Sequence, residues 1–180
     1  MKTRTFLRGL MLLMGLAGGV VAGQKEQPKP PGKPDLSGTW AFDKSKSKLG
    51  MLERTPLANA EVTLVIVHKD PELKVTQKGS LNGQTSSLDL VYYSDGRGET
   101  NPPMFGSREV KSKTKWDGNK LVSKSSTQIP LGRGAAGDVA FIDVSVKREL
   151  SEDGKTLIIT TSTSGPRGTE VIKQVFNRAS

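Results

Sequence analysis

Apolar and polar residues alternate along most of the chain beyond residue 60, which is the pattern of half-buried β-strands. The clearest case runs from Val110 to Thr127, where hydroxyl and aromatic residues alternate with lysines around a turn at Gly118-Asn119. Glycine and asparagine accept a positive φ at low cost, so this stretch predicts a β-hairpin. On one face we expect the cross-strand pairs Trp116 with Leu121, Thr114 with Ser123, Ser112 with Ser125 and Val110 with Thr127. The other face is expected to carry Lys111, Lys113 and Lys115.

The same pattern returns downstream, where Asp153 to Thr163 matches Asp117 to Thr127. No segment beyond residue 23 shows a sustained helical period. The segment from Ser94 to Gly106 is interpreted as a long loop. We count about nine strands, within a range of eight to ten. The remaining predicted strands run from Gly38 to Phe42, Glu61 to Lys69, Leu73 to Lys78, Ser87 to Tyr93, Asp138 to Leu150 and Thr169 to Asn177.

Strands joined in order by short turns form an antiparallel meander. An open sheet of that size would leave two unpaired edges, so we predict an all-β fold, an up-and-down antiparallel barrel of about 8–10 strands. A sandwich of two sheets is the alternative, because periodicity does not separate a sandwich from a flattened barrel.

The first 34 residues differ from the rest. Residues 1–23 combine a basic start with an apolar run from Leu10 to Leu16 and small residues at Val21 to Gly23, which is typical of a secretory signal peptide. Residues 24–34 are rich in proline and lysine and hold little to bury, so they are predicted to be a disordered linker. We therefore expect a single folded domain over 35–180 in a secreted protein, periplasmic or extracellular, with no transmembrane segment after cleavage.

Charge and cysteine content add two constraints. The net charge of +9 falls to +6 if the first 23 residues, with three basic residues and no acid, are removed. This positive net charge indicates a lysine-rich exterior. The chain has no cysteine, so it contains no disulfide and no lipid anchor on an N-terminal cysteine.

Short motifs give the chain a family resemblance. Gly38-Thr39-Trp40 opens the first predicted strand within Asp-Leu-Ser-Gly-Thr-Trp, and the hairpins carry Lys-Trp-Asp-Gly at 115–118 and Ser-Glu-Asp-Gly-Lys-Thr-Leu at 151–157. In these motifs the chain resembles the lipocalins, the wider calycin group and small secreted bacterial lipocalin-like proteins. The resemblance implies structural roles for Gly38 and Trp40, with the tryptophan closing one end. It also implies an arginine from the last strand stacked on that ring, and a small ligand in the cup.

The hairpin face that bears Trp116 would form part of the interior. Several of its side chains are hydroxyls, and buried hydroxyls need partners, so we expect an interior that is wetter than a fatty-acid pocket. The alternative is a packed core with no ligand. The candidate ligand-binding residues are Ser112, Thr114, Trp116, Leu121, Ser123 and Ser125.

Three predicted loops each carry an Arg-Gly pair, at Arg97, Arg133 and Arg167. A count of nine strands places these loops at one end of the barrel, where the guanidinium groups could together bind a carboxylate or a phosphate. The alternative is that they are ordinary exposed turn residues.

The sequence shows no catalytic motif, and it predicts no metal or cofactor. The only histidine, His68, is interpreted as a surface turn residue. Aromatic residues are too sparse to act as stacking platforms for nucleic acid. The leading hypothesis is therefore a secreted, noncatalytic barrel that binds a small polar or anionic molecule. The second is a structural or interaction protein of the cell envelope, with a packed core and a basic exterior.

Overall fold

Ten antiparallel strands form one sheet in the computed structural model, which describes residues 32–103, 108–130 and 139–179. Each strand pairs with its neighbours in sequence, apart from β4 with β5, and β1 pairs with β10. The predicted all-β, up-and-down barrel is therefore confirmed. The strands are β1 (Gly38–Phe42), β2 (Glu61–Lys69), β3 (Glu72–Leu81), β4 (Gln84–Tyr93), β5 (Glu99–Asn101), β6 (Val110–Asp117), β7 (Lys120–Pro130), β8 (Val139–Leu150), β9 (Thr156–Gly165) and β10 (Gly168–Arg178).

The barrel is nearly closed, since no strand pairing joins β4 to β5 in the described residues. Side chains bridge this seam instead. The Asn101 amide accepts a hydrogen bond from the Val91 N–H at 2.7 Å and donates one to the Val91 carbonyl at 2.8 Å. Glu99 accepts another from the Tyr93 N–H at 3.3 Å. The Asn101 side chain thus supplies one donor and one acceptor, and these replace a pair of backbone hydrogen bonds that the short β5 does not make with β4.

Strand β5 lies inside the segment that the sequence pattern indicated to be a loop. Its three residues, Glu-Thr-Asn, contain no apolar position and so give no strand signal. The extra strand moves every later turn to the other end of the barrel. The β6–β7 and β8–β9 turns consequently lie at the end where β1 begins, here called the closed end, and the β9–β10 turn lies at the opposite, mouth end.

The hairpin of β6 and β7 has the predicted register and facing. Trp116 pairs with Leu121 and Thr114 with Ser123, and Leu121 is completely buried. Lys111, Lys113 and Lys115 are exposed on the outer face. The period-two alternation therefore assigned the inner and outer faces of this hairpin correctly.

A buried apolar cluster fills the closed end. Full burial of one large apolar side chain stabilises a fold by about 1.5–3 kcal/mol, so each member of this cluster contributes to the stability of the barrel. Its members are Leu36, Trp40, Leu64, Ile66, Leu73, Val75, Leu121, Leu157 and Phe176.

The connection between β1 and β2 borders the mouth end. It contains three 3-10 helices, Lys44–Lys46, Gly50–Arg54 and Pro56–Asn59, each of three to five residues. Lys48 exchanges backbone hydrogen bonds with Lys173 of β10, at 2.7 and 2.8 Å. These bonds fix the connection to the barrel wall. No helix in the described ranges has the length and apolar character needed to cross a bilayer.

Candidate functional site

Trp40, Gly38 and Arg178 pack against one another at the closed end, and these three residues are here called the plug. The Arg178 guanidinium of β10 lies over the Trp40 ring, 4.2 Å from its centroid, and donates a hydrogen bond to the Ser37 carbonyl at 2.9 Å. Gly38 has a φ of +141°, and a Cβ at this position would collide with the Arg178 guanidinium. Glycine is therefore required here for both backbone conformation and space. Arg178 is the stacking arginine that the resemblance implies, and it is the only arginine in the last strand.

Asp70, in the β2–β3 turn, connects several elements at the closed end. It accepts hydrogen bonds from the Ser94 hydroxyl, from Lys33 Nζ at 2.9 Å and from Trp116 Nε1 at 3.2 Å. The Ser94 bond first, and then the Lys33 bond, lower the pKa of Asp70 to about 2.

His68 lies inside the closed end, so its interpretation as a surface residue is wrong. Its side chain is only 6% exposed, because His68 continues the inward alternation of Leu64 and Ile66 along β2. Its Nδ1 accepts the Leu36 N–H at 3.3 Å, so the neutral ring carries its proton on Nε2. Among the described residues Nε2 has no hydrogen-bond partner, and Asp70 Oδ1 is 3.9 Å away.

A network of buried polar side chains lies next to the apolar cluster. Glu99 Oε1 accepts hydrogen bonds from Ser112 at 2.6 Å and Thr114 at 2.7 Å. Thr114 Oγ1 lies 2.7 Å from Ser123 Oγ, and Arg148 Nη1 donates to Ser123 Oγ at 2.8 Å. Glu99, Thr114, Ser123 and Arg148 are each less than 10% exposed.

The hydrogen bonds of this network have one consistent direction. A hydroxyl has a single proton, so Thr114 donates to Glu99, Ser123 donates to Thr114, and Arg148 donates to Ser123. Two hydroxyls thus connect a buried cation to a buried carboxylate that is not in direct ion-pair contact with it. Both hydroxyls therefore donate and accept a hydrogen bond inside the barrel, which is the condition for burying them at low cost.

Arg148 retains unused hydrogen-bonding capacity. Its guanidinium stacks over the Tyr92 ring at 4.1 Å, and only Nη1 has a hydrogen-bond partner in the described part of the chain. Nε and Nη2 are not among the fully buried side-chain atoms without a partner, of which His68 Nε2 is the only one in the described residues.

A cavity of about 640 Å³ opens at the mouth end. Its walls include Met51 from the β1–β2 connection, inward-facing Ile142 and Thr163, and Arg167 from the β9–β10 turn. Mixed apolar and polar walls of this kind suit an amphipathic molecule.

Five of the six candidate cavity residues belong to two groups. Ser112, Thr114 and Ser123 belong to the polar network, whereas Trp116 and Leu121 pack in or against the apolar cluster. Ser125 is half-buried, one inward position beyond Ser123.

Sequence reasoning missed Glu99, Arg148 and Tyr92 as members of the site. Arg148 carried a usable signal, since it continues the inward alternation of Val144 and Val146. Glu99 gave no such signal, because β5 was not recognised as a strand.

The structure does not bring the candidate arginines together. Arg97 lies at the closed end, where its hydrogen bonds to Asp95 lower the pKa of that carboxyl. Arg167 lies in the β9–β10 turn at the mouth end. The prediction that they share one end is wrong, because β5 reverses the placement of the later turns. Arg133 is outside the described residues.

Comparison with solved structures identifies the fold. Human cRBP IV superposes with a TM-score of 0.54 at 18% identity, covering 81% of this chain and 99% of that chain. Zebrafish ileal bile acid-binding protein complexed with cholic acid gives 0.53 at 15% identity, covering 79% and 98%. The REP1-NXSQ fatty acid transporter gives 0.51 at 17% identity, covering 81% and 96%. At such low identity these likenesses show the fold alone.

No protein-family model matches the sequence, and a search of curated proteins finds no match. The fold and the interior thus define the class: a ten-stranded, calycin-like β-barrel with a plugged end and a polar interior site. The calycin-like architecture that the family resemblance implies is confirmed.

Proposed function

We propose that this protein is a noncatalytic barrel that binds a small amphipathic molecule, with the anionic group of the ligand held by Arg148. The observation that carries the proposal is the buried Arg148 guanidinium, of which only Nη1 has a hydrogen-bond partner among the described residues. A guanidinium presents a rigid set of N–H groups that matches a carboxylate in two contacts.

The immediate surroundings of Arg148 favour an anion at this position. Among the described residues, no carboxylate lies within ion-pair distance of Arg148, and Glu99 reaches it only through two hydroxyls. A buried cation without a direct counterion is costly, and a ligand carboxylate would remove that cost. Tyr92 holds the guanidinium plane from one face and leaves its edge for the ligand.

The walls around Arg148 suit the apolar part of such a ligand. Toward the mouth, β8 turns Val146, Val144 and Ile142 inward in successive positions. The mouth cavity continues this apolar lining with Met51 and Ile129. An acidic head at Arg148 would thus place an aliphatic body against aliphatic side chains, where burial stabilises the complex.

The structural neighbours support this class of ligand. One is named a fatty acid transporter, and another is complexed with cholic acid. Both names describe a carboxylate attached to an apolar body, which is the chemistry that Arg148 and the β8 wall would select.

The proposal is tested by titrating the protein with palmitate, cholate and the uncharged hexadecanol. We expect the acids to bind, and Arg148→Gln to weaken palmitate at least tenfold, since a charged hydrogen bond is worth about 1.5–3 kcal/mol. Arg97→Gln is the matched control, because it removes an exposed arginine at the closed end. Equal binding by hexadecanol, or palmitate binding that is unchanged in Arg148→Gln, would contradict the proposal.

We further propose that the chain is exported. The support is the basic start, the apolar run and the small residues within residues 1–23, which lie outside the described part of the structure. Expression of the full sequence in a secreting bacterial host should yield a mature chain that begins at Gly23 or Gln24. Intact-mass measurement checks this, and an uncleaved chain that stays with the cells would overturn it.

A further inference from the structure

A groove of about 530 Å³ runs across the outer surface of β6 to β9, on the opposite side of the wall from the polar network. Three lysines line it, Lys111, Lys113 and Lys124, together with one acid, Asp143. All four side chains are exposed and point away from the barrel interior. The groove is therefore a separate feature from the interior site, and its lining carries an excess of positive charge.

Two of these lysines are placed directly opposite one another. Lys113 on β6 pairs with Lys124 on β7 in the strand register. Side chains in such pairs have their Cβ atoms about 4.5–5.5 Å apart, and like charges there destabilise the sheet. Within the described residues, neither ammonium group has a carboxylate at ion-pair distance. The fold thus retains a local repulsion that an anionic ligand would relieve.

Serine hydroxyls on β8 and β9 lie in the same cross-strand row as Lys113 and Lys124. The register places Lys124 beside Ser145, and Ser145 beside Ser162. Ser126 and Ser164 flank Asp143 in the next row. Four neighbouring strands span about 14 Å, so the groove offers ammonium and hydroxyl groups over several units of a polymer.

The opposite wall of the barrel carries a smaller net charge. On the outer face of β2 and β3, lysines are interspersed with acids, and Lys74 forms an ion pair with Glu72 at 3.0 Å. That face carries three lysines and two glutamates, whereas the groove lining carries three lysines and one aspartate, so the groove has the higher net positive charge.

We propose that the β6–β9 groove binds an acidic polysaccharide. Its ammonium groups would meet carboxylates or sulfates, and its serines would exchange hydrogen bonds with sugar hydroxyls. Its lining contains no aromatic residue on which a base could stack, which disfavours nucleic acid. The outward side chains that line it are all polar, which disfavours insertion into a lipid surface.

The test uses a size-defined heparin oligosaccharide, with neutral dextran, duplex DNA and phosphatidylglycerol vesicles as comparison probes. We expect the oligosaccharide to bind with a strong salt dependence and dextran not to bind. The double variant Lys113→Glu and Lys124→Glu should weaken heparin binding at least tenfold. The matched control, Lys74→Glu with Lys78→Glu, makes the same change in net charge on the opposite wall and should weaken binding less than threefold.

Three results would overturn the proposal: no heparin binding at low salt, equal losses in the two double variants, or DNA or vesicles binding as tightly as heparin with the same dependence on Lys113 and Lys124. Thermal unfolding and palmitate titration of each variant check folding and the interior site. Lys113→Gln with Lys124→Gln replaces the glutamate pair if that pair does not fold. Because the interior test uses Arg148, failure of either proposal leaves the other standing.

Discussion

Two neighbouring cross-strand pairs of the β6–β7 hairpin, both facing inward, build different environments. Trp116 and Leu121 pack in or against the apolar cluster at the closed end, whereas Thr114 and Ser123 join Glu99 and Arg148 in a polar network. One step of two residues along each strand separates them. The comparison shows that the alternation of a strand defines which side chains are inside, while the identity of each inward residue defines whether that layer is packed or polar.

The largest expected effect tests the packed pair. Leu121→Ala should lower the free energy of unfolding by about 2–5 kcal/mol, because it removes fully buried methyl groups and leaves a cavity. Ser125→Ala, at a half-buried inward position of the same strand, should cost less than about 1 kcal/mol. Denaturant unfolding measures both. Similar costs for the two variants would show that Leu121 does not lie in a packed layer.

A smaller effect tests the polar pair. Thr114→Val preserves the shape of the side chain and removes the hydroxyl between Ser123 and Glu99. We expect a loss of about 1–3 kcal/mol in unfolding free energy, since the buried carboxylate and Ser123 each lose a partner. Thr160→Val, on the outer face of β9, is the control and should change stability by less than about 0.5 kcal/mol. An equal, small effect of both substitutions would mean that the network does not stabilise the barrel.

The smallest effect concerns pH at the closed end. Asp70 has its pKa lowered from its ordinary 3.8 to about 2, by its bonds to Ser94 and then to Lys33. The folded state thus favours the carboxylate, so its stabilising contribution is fully present above pH 4 and is lost as the pH falls toward 2. Asp70→Asn should flatten the pH dependence of stability in this window, measured by thermal unfolding from pH 5 to pH 2. A variant with the same acid dependence as the parent would exclude Asp70 as its source.

Much of the fold followed from short-range pattern. The β6–β7 register was predictable because lysines alternate with hydroxyl and apolar residues around Gly118-Asn119, and the closed end was predictable from Gly38 and Trp40. Strand β5 was not, since Glu-Thr-Asn has no apolar position, pairs with β6 over only three residues and is joined to β4 through side chains. That single omission misplaced Arg97 relative to Arg167.

The interior site was predictable only in part. The hydroxyls of Thr114 and Ser123 mark a polar layer in the sequence, but their charged partners lie on β5 and β8 and meet them only when the barrel closes. Arg148 and Tyr92 are 56 positions apart in the sequence, and only the tertiary fold stacks one on the other. Contacts of this kind depend on long-range register, which local periodicity does not encode.

The central claim is that Arg148 holds the anionic group of a ligand inside the barrel. The most direct measurement is a pH titration, by ¹³C NMR, of a carboxyl-labelled palmitate bound to the protein. A carboxylate against the Arg148 guanidinium should keep its bound resonance in the ionised position well below the pH at which a free carboxyl protonates, and this shift should disappear in Arg148→Gln. A bound carboxyl that titrates as it does in water, in both parent and variant, would contradict the claim.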